Sequence, residues 1–153
     1  CVISSVPAES SAAALSTMSL MACPDLAGAF RETRRVLVSG GRLSFSVLHP
    51  CFLTRGFSWI VTKRSRFDGL RVADYFDTTP FVERWGPPDA PPFEVPRFFR
   101  ILADCMNGLC QAGFHIEAVH EPRVPAAVAE AVPTLARWRR HAPMALFVTA
   151  RKG

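Results

Sequence analysis

The feature that most constrains this chain is a helix, a glycine pair and an alternating strand in direct succession between residues 23 and 48. Leu26, Ala29, Phe30, Thr33, Val36 and Leu37 recur at the spacing of one helix face, while Arg31, Glu32, Arg34 and Arg35 fall on the others. Cys23-Pro24-Asp25 opens that helix, since proline suits the first helical position and an early aspartate suits the positive end of the helix dipole. Ser39-Gly40-Gly41 ends it, glycine admitting the left-handed cap. Residues 42–48 then set Leu43, Phe45 and Val47 against polar alternates, the period of a strand. Residues 12–18, ahead of the helix, are a short apolar run that reads as a buried strand. Strand, helix, turn and strand make a crossover, so the two strands are expected to pair in parallel.

The remainder keeps the α/β style after one irregular stretch. Residues 51–96 hold Trp59, Trp85, the single tyrosine Tyr75 and the run Pro87-Pro88 to Pro91-Pro92. An aromatic, proline-broken stretch at a strand's carboxyl end is where an α/β fold places a lid, and residues 71–76 are expected to add a strand within it. A helix is expected from Pro96 to about Ala112, closed by Gly113, followed by a strand over residues 114–120. Residues 122–141 read as a helical stretch broken at Pro133. Residues 144–150 form the last strand, with Leu146 and Val148 on one face. Residues 1–11 show no period and are expected to be an unstructured or non-native leader to a domain spanning 12–153.

Composition narrows the function classes. Of the 153 residues 49% are hydrophobic and 20% charged, the balance of a globular domain rather than a disordered one. The net charge of +5 would suit an anionic partner, but Arg31, Arg34 and Arg35, then Lys63, Arg64 and Arg66, then Arg137, Arg139 and Arg140 lie in separate places. Solvated helix faces explain them better than a nucleic-acid groove. The five cysteines include no C-x-x-C pair and their number is odd, which points to free thiols in a reducing cytoplasm and away from a zinc knuckle. No apolar run reaches the roughly 20 residues that span a bilayer, so no membrane partner is expected.

The wording of the first motif then becomes informative. Met21-Ala22-Cys23-Pro24-Asp25-Leu26, Arg31-Glu32, Arg34-Arg35-Val36-Leu37 and Gly40-Gly41-Arg42-Leu43 together resemble the stretch joining the fourth strand, its helix and the fifth strand of class I S-adenosylmethionine-dependent methyltransferases. His49-Pro50-Cys51, Asp74-Tyr75-Phe76, Val95-Pro96-Arg97, Ala112-Gly113-Phe114 and Glu121-Pro122 are similar to a bacterial small-molecule subgroup of that family, the type 11-like enzymes. The resemblance covers roughly residues 12–152. It implies a Rossmann-like sheet of order 3-2-1-4-5-7-6, of which this chain supplies strands 4, 5, 6 and 7, its C-terminal half. It implies S-adenosylmethionine as cofactor and a small-molecule methyl acceptor as partner. Yet no G-x-G occurs in the sequence, so the glycine loop that approaches the cofactor's amino-acid tail is not among these residues, nor is an acidic residue to hold its ribose. Weak cofactor binding, or none, is therefore expected of this chain by itself. The alternative is a non-catalytic binding or partner module derived from a methyltransferase.

Candidate site residues follow. Ser16, Thr17 and Met18 match the end of the family's fourth strand, beside the cofactor's sulfonium, or else are strand-end packing. His49 ends the next strand, where open α/β sheets place ligands, and histidine is the usual side chain for taking a proton near neutral pH. Catalytic base or structural junction are both open to it. Trp59, Tyr75, Glu83 and Trp85 either line a substrate pocket or close a surface insertion. His115 and His120, on a strand away from that end, and His141 near a helix end read as structural; none has acidic partners at metal-ligand spacing. A first strand without its missing neighbour is an exposed edge, so self-association through residues 12–18 is expected.

Overall fold

A computed structural model of the chain describes residues 5–62, 67–86 and 91–153. In chain order the elements begin with β1 (Ser11–Thr17), α1 (Leu26–Val36), β2 (Leu37–Leu48), β3 (Ser58–Val61) and β4 (Phe67–Arg71). They continue with β5 (Phe81–Trp85), β6 (Phe93–Arg97), α2 (Leu102–Gln111), β7 (Phe114–His120), α3 (Ala126–Ala131), α4 (Pro133–His141) and β8 (Ala145–Lys152). The main sheet has the order β1-β2-β8-β7. β1 and β2 run parallel, with Ser16 opposite Phe45, and β8 is antiparallel to both of its neighbours. β7 therefore runs the same way as β1 and β2, and all three end at one edge of the sheet.

The core lies on the face that α1 and α2 cover. Alternation along β2 and β8 puts Leu43, Phe45, Val47, Leu146, Val148 and Ala150 there, all buried. Phe30 of α1 is fully buried, its ring 5.8 Å from that of Phe45, and Leu109 of α2 is fully buried in the same cluster. Burying such side chains contributes about 1.5–3 kcal/mol each. The apolar stripe read on α1 is thus its packed face, with Leu26, Phe30 and Val36 enclosed.

Boundaries differ from expectation in instructive ways. Pro24 precedes α1 rather than opening it; Asp25 is the cap, its carboxylate accepting from Gly28 N–H at 2.7 Å. β2 starts directly at Leu37, which is extended, and Ser11 faces Leu37 while Ala13 faces Arg42. Residues 38–41 loop out of the ladder between those pairs, and Gly40 takes a φ of 72° there instead of capping the helix. Glu9 and Ser10, within the expected leader, donate their N–H groups to the carbonyls of Arg35 and Val36, both at 2.9 Å. The buried Lys152 fastens the same corner, donating to Leu37 O at 2.7 Å and Glu9 Oε1 at 3.1 Å.

Inside residues 51–96 the strand expected at 71–76 lies earlier, at Phe67–Arg71, because it pairs with Ser58–Val61. A second hairpin joins Phe81–Trp85 to Phe93–Arg97, so the helix expected from Pro96 starts only at Leu102. Pro87 and Pro88 lie outside the described residues. Among the described residues no helix is long and apolar enough to cross a membrane.

Candidate functional site

The parallel run of β1, β2 and β7 brings their carboxyl ends together, and Ser16, Thr17, Met18 and His49 among the sequence's candidates sit on that edge. β1 leaves the sheet at Met18, a non-glycine residue at φ 51°, a conformation that usually needs enforcement. The enforcing contacts come from Ser46, whose carbonyl accepts from Met18 N–H at 3.0 Å and whose hydroxyl lies 3.2 Å away. Ser16 and Ser19 share a hydroxyl–hydroxyl bond of 2.7 Å across this turn.

His49 follows β2 and is 2% exposed. Its Nε2 lies 2.6 Å from Glu121 Oε1, its Nδ1 accepts from Cys51 N–H at 3.2 Å, and its ring packs 4.6 Å from Phe52. An acceptor role at Nδ1 fixes the proton on Nε2, which donates to the carboxylate. The backbone N–H of His49 donates to Met144 O at 3.0 Å, so the side chain spans the start of β8 to reach the end of β7. His120, the last residue of β7, is at this same edge and not away from it as the sequence reading had it. The sequence marks Glu121 only as part of a Glu-Pro pair, and a partner 72 positions from His49 leaves no local spacing signal.

Beside the end of β2 lies a cavity of about 40 Å³, room for about one water, with Met21, Leu48, Pro50, Arg97 and Phe99 in its wall. Arg97 is 4% exposed, 3.3 Å through Nε from Glu83 Oε2, and donates through a terminal nitrogen to Met21 Sδ at 3.0 Å. Burial pulls its pKa down, against the raising pull of Glu83. Glu83 is therefore committed to a buried arginine; the contact is an ion pair whose alignment falls short of a hydrogen bond.

The aromatic candidates separate. Tyr75 spends its hydroxyl as an acceptor for Leu102 N–H at 3.0 Å, capping α2. Trp59 packs edge-on against the buried Trp138 at 4.7 Å, with the Arg137 guanidinium 4.9 Å above its ring. The Trp85 side chain lies outside what the structure describes; its backbone pairs with Phe93. Trp59 is on β3, Trp85 on β5 and Tyr75 on the connection between β4 and β5; Trp59 packs against α4 and Tyr75 against the start of α2. Among the described residues no group of three His, Cys, Asp or Glu side chains is arranged to hold a metal.

An open groove of about 330 Å³ flanks β1, bounded by Leu15, Ser16, Ala22, Cys23, Ala29 and Thr33. Its lining has hydroxyls and small apolar groups but no carboxylate and no glycine.

Comparison with solved structures decides the fold. An S-adenosylmethionine-dependent methyltransferase from Mesorhizobium loti superposes with a TM-score of 0.75 at 27% identity, over 96% of this chain and 64% of that one. A protein from Listeria monocytogenes assigned to the same activity superposes at 0.78 and 22% identity, over 97% and 64%. The chain has the fold of a class I S-adenosylmethionine-dependent methyltransferase from its fourth strand onward. A methyltransferase from Methanosarcina mazei, at 14% identity and a TM-score of 0.58, shows the same fold over 97% of this chain and 62% of its own. The chain thus spans about 64% of the length of the methyltransferases it matches first. No protein-family model matches the sequence, and no curated protein does. The methyltransferase order 4-5-7-6 is the observed β1-β2-β8-β7, antiparallel strand included. For the cofactor itself the fit is incomplete: the groove beside Ser16 offers no carboxylate to hold ribose hydroxyls and no glycine for close approach to an amino-acid tail.

Proposed function

We propose that these strands serve S-adenosylmethionine-dependent methyl transfer to a small-molecule acceptor, supplying the acceptor side of the site. The observation that carries this reading is the shared edge: β1, β2 and β7 end together, with Met18 held in a left-handed turn and the buried His49 paired with the half-exposed Glu121. Ser16, Thr17 and Met18 would border the transferred methyl group. His49, Trp59, Tyr75, Glu83 and Trp85 remain the acceptor-side candidates, with residues 51–96 as the lid; Tyr75 and Glu83 would act chiefly by holding α2 and Arg97 in place. Holding two reactants in line can be worth effective molarities of roughly 10⁵–10⁸ M, and that advantage depends on fixing the cofactor. The described thiols Cys23, Cys51, Cys105 and Cys110 are unpaired, which suits the cytoplasm as the compartment.

The test is a fusion. The part of the Mesorhizobium loti methyltransferase outside the aligned 64%, joined ahead of Ser11, should give a protein that moves labelled methyl from S-adenosylmethionine to small acceptors. A folded fusion that binds the cofactor and methylates nothing in a broad acceptor panel would refute the reading. A second reading, a non-catalytic partner module, is favoured by the groove beside Ser16, which lacks cofactor-holding groups. Stable, inert binding of a separate methyltransferase half would support it.

A further inference from the structure

Two arginines stand in the wall of the small cavity beside the end of β2, and their surroundings differ. Arg100 donates to the carbonyls of Leu20, Cys23, Pro24 and Phe98, so its polar head is well supplied with acceptors. Arg97, the last residue of β6, is 4% exposed and reaches no carbonyl. Among the described residues its side chain has one hydrogen-bond acceptor, Met21 Sδ at 3.0 Å, and one ion-pair partner, the misaligned Glu83. A thioether sulfur is a weak acceptor, and a buried guanidinium short of acceptors is costly. The cavity against it is otherwise apolar, with Leu20, Leu48, Pro50, Leu53 and Phe99 in its wall. No carboxylate lines it; Glu83 touches Arg97 from outside that lining, and Arg100 has no carboxylate within ion-pair distance among the described residues. The local surplus of positive charge favours an anion over a neutral compound and opposes a cation. At about 40 Å³ the cavity admits a group the size of a water, so a larger ligand needs one wall to give. Met21 is suited to that: its unbranched side chain adapts readily, and its sulfur occupies the position that an oxygen acceptor would fill better.

We propose that this cavity is a binding site for a small aliphatic monocarboxylate, with Arg97 holding the carboxylate, Met21 moving aside to admit it, and the leucine-lined wall covering the tail. The site goes beyond the methyl-transfer reading and stands without it, since no bond is made or broken. Arg97 Nη1 donates to the carboxylate in place of the sulfur, while Glu83 keeps its place at Nε. A charge-assisted hydrogen bond to oxygen thereby replaces a weak one to sulfur.

The test titrates butyrate into the full 153-residue chain and follows the Arg97 Nε–H and Met21 methyl signals by NMR. Butanol and butylammonium serve as neutral and cationic probes with the same tail. Butyrate should shift both signals along one saturable curve and bind at least about tenfold more tightly than butanol, the worth of a hydrogen bond between charged groups. Butylammonium should not bind. Met21→Ala removes the movable wall and should bind butyrate severalfold more tightly than the wild type. Arg97→Gln should lose the preference for butyrate over butanol while still binding butanol. Equal binding of butyrate and butanol by the wild type would make the cavity a mere apolar void, and a preference for butylammonium would give the charge to Glu83; either result overturns the proposal. So does a Met21→Ala protein that binds butyrate no better than the wild type, or an Arg97→Gln protein that binds it undiminished. If Arg97→Gln does not fold, the butyrate–butanol ratio of Met21→Ala decides alone.

Discussion

Burial decides what single residues can do here, and the two cysteines of α2 illustrate it. Cys105 is 5% exposed inside the core cluster, and desolvation pushes its thiol up to about 11. Cys110 lies five positions on, at the exposed side of the same helix. The thiolate is the reactive form, so at pH 8 a group with a pKa about three units higher is ionised to only about one part in a thousand. Iodoacetamide at pH 8 should therefore modify Cys110 in the native protein and spare Cys105 until denaturant is added. Peptide mass spectrometry reads the order directly, and native labelling of Cys105 ahead of Cys110 would show that α2 opens locally. The same contrast separates the pair at the sheet edge: the buried His49 is committed on both nitrogens, whereas the half-exposed Glu121 keeps an oxygen free.

Among the elements, the junction of α2 and β7 carries the sharpest expectation. Gly113 ends the helix at φ 84°, and a Cβ placed there would lie 2.6 Å from Arg34 Nε. Gly113→Ala combines left-handed strain of about 1–2 kcal/mol with a displaced arginine. It should lower the melting temperature by several degrees, whereas the same change at Gly69, an extended position with ordinary space around it, should cost much less. Differential scanning calorimetry of the two variants compares them, and equal losses would mean that the positive φ is not the cause. This junction was legible in the sequence, as were α1, β7, β8 and the break at Pro133, because each combines a period with a stop residue that acts within a few positions. The hairpins were not. β4 is fixed by its register against Ser58–Val61, and β6 by pairing with Phe81–Trp85, which moved the start of α2 from Pro96 to Leu102. The site was half legible for the same reason. The strand-end positions of His49 and residues 16–18 could be read from the sequence, but the carboxylate paired with His49 follows another strand, 72 positions away.

On the scale of the whole molecule, the groups that are present and the side of β1 that stands open both lead to measurements. The 153 residues contain no G-x-G, and the groove along Ser16 has no carboxylate, so this chain should bind S-adenosylmethionine weakly or not at all. Isothermal calorimetry that returned micromolar affinity would contradict that. The second measurement concerns association. β1 pairs with β2 on one side only among the described residues, which leaves a row of N–H and C=O groups at the sheet's edge. Edges of this kind are normally guarded by lysine, proline or a bulge. β1 reads Ser-Ala-Ala-Ala-Leu-Ser-Thr, and its one register irregularity is confined to Ser11–Ala13. Leu15 is 80% exposed on the sheet face away from α1, and Ala12 and Ala13 are exposed with it. An unsatisfied backbone group costs on the order of 1–3 kcal/mol once water is excluded from it, against a total stability of about 5–15 kcal/mol, so pairing two edges satisfies groups that packing alone would strand. The chain should therefore associate through β1 as its concentration rises. Leu15→Lys should suppress that association, since two copies joined along this strand would bring like charges near one another across the seam. Ultracentrifugation of both proteins over a wide concentration range separates the outcomes. A wild-type chain that stays a monodisperse monomer throughout would show that the edge of β1 is covered from within the same chain.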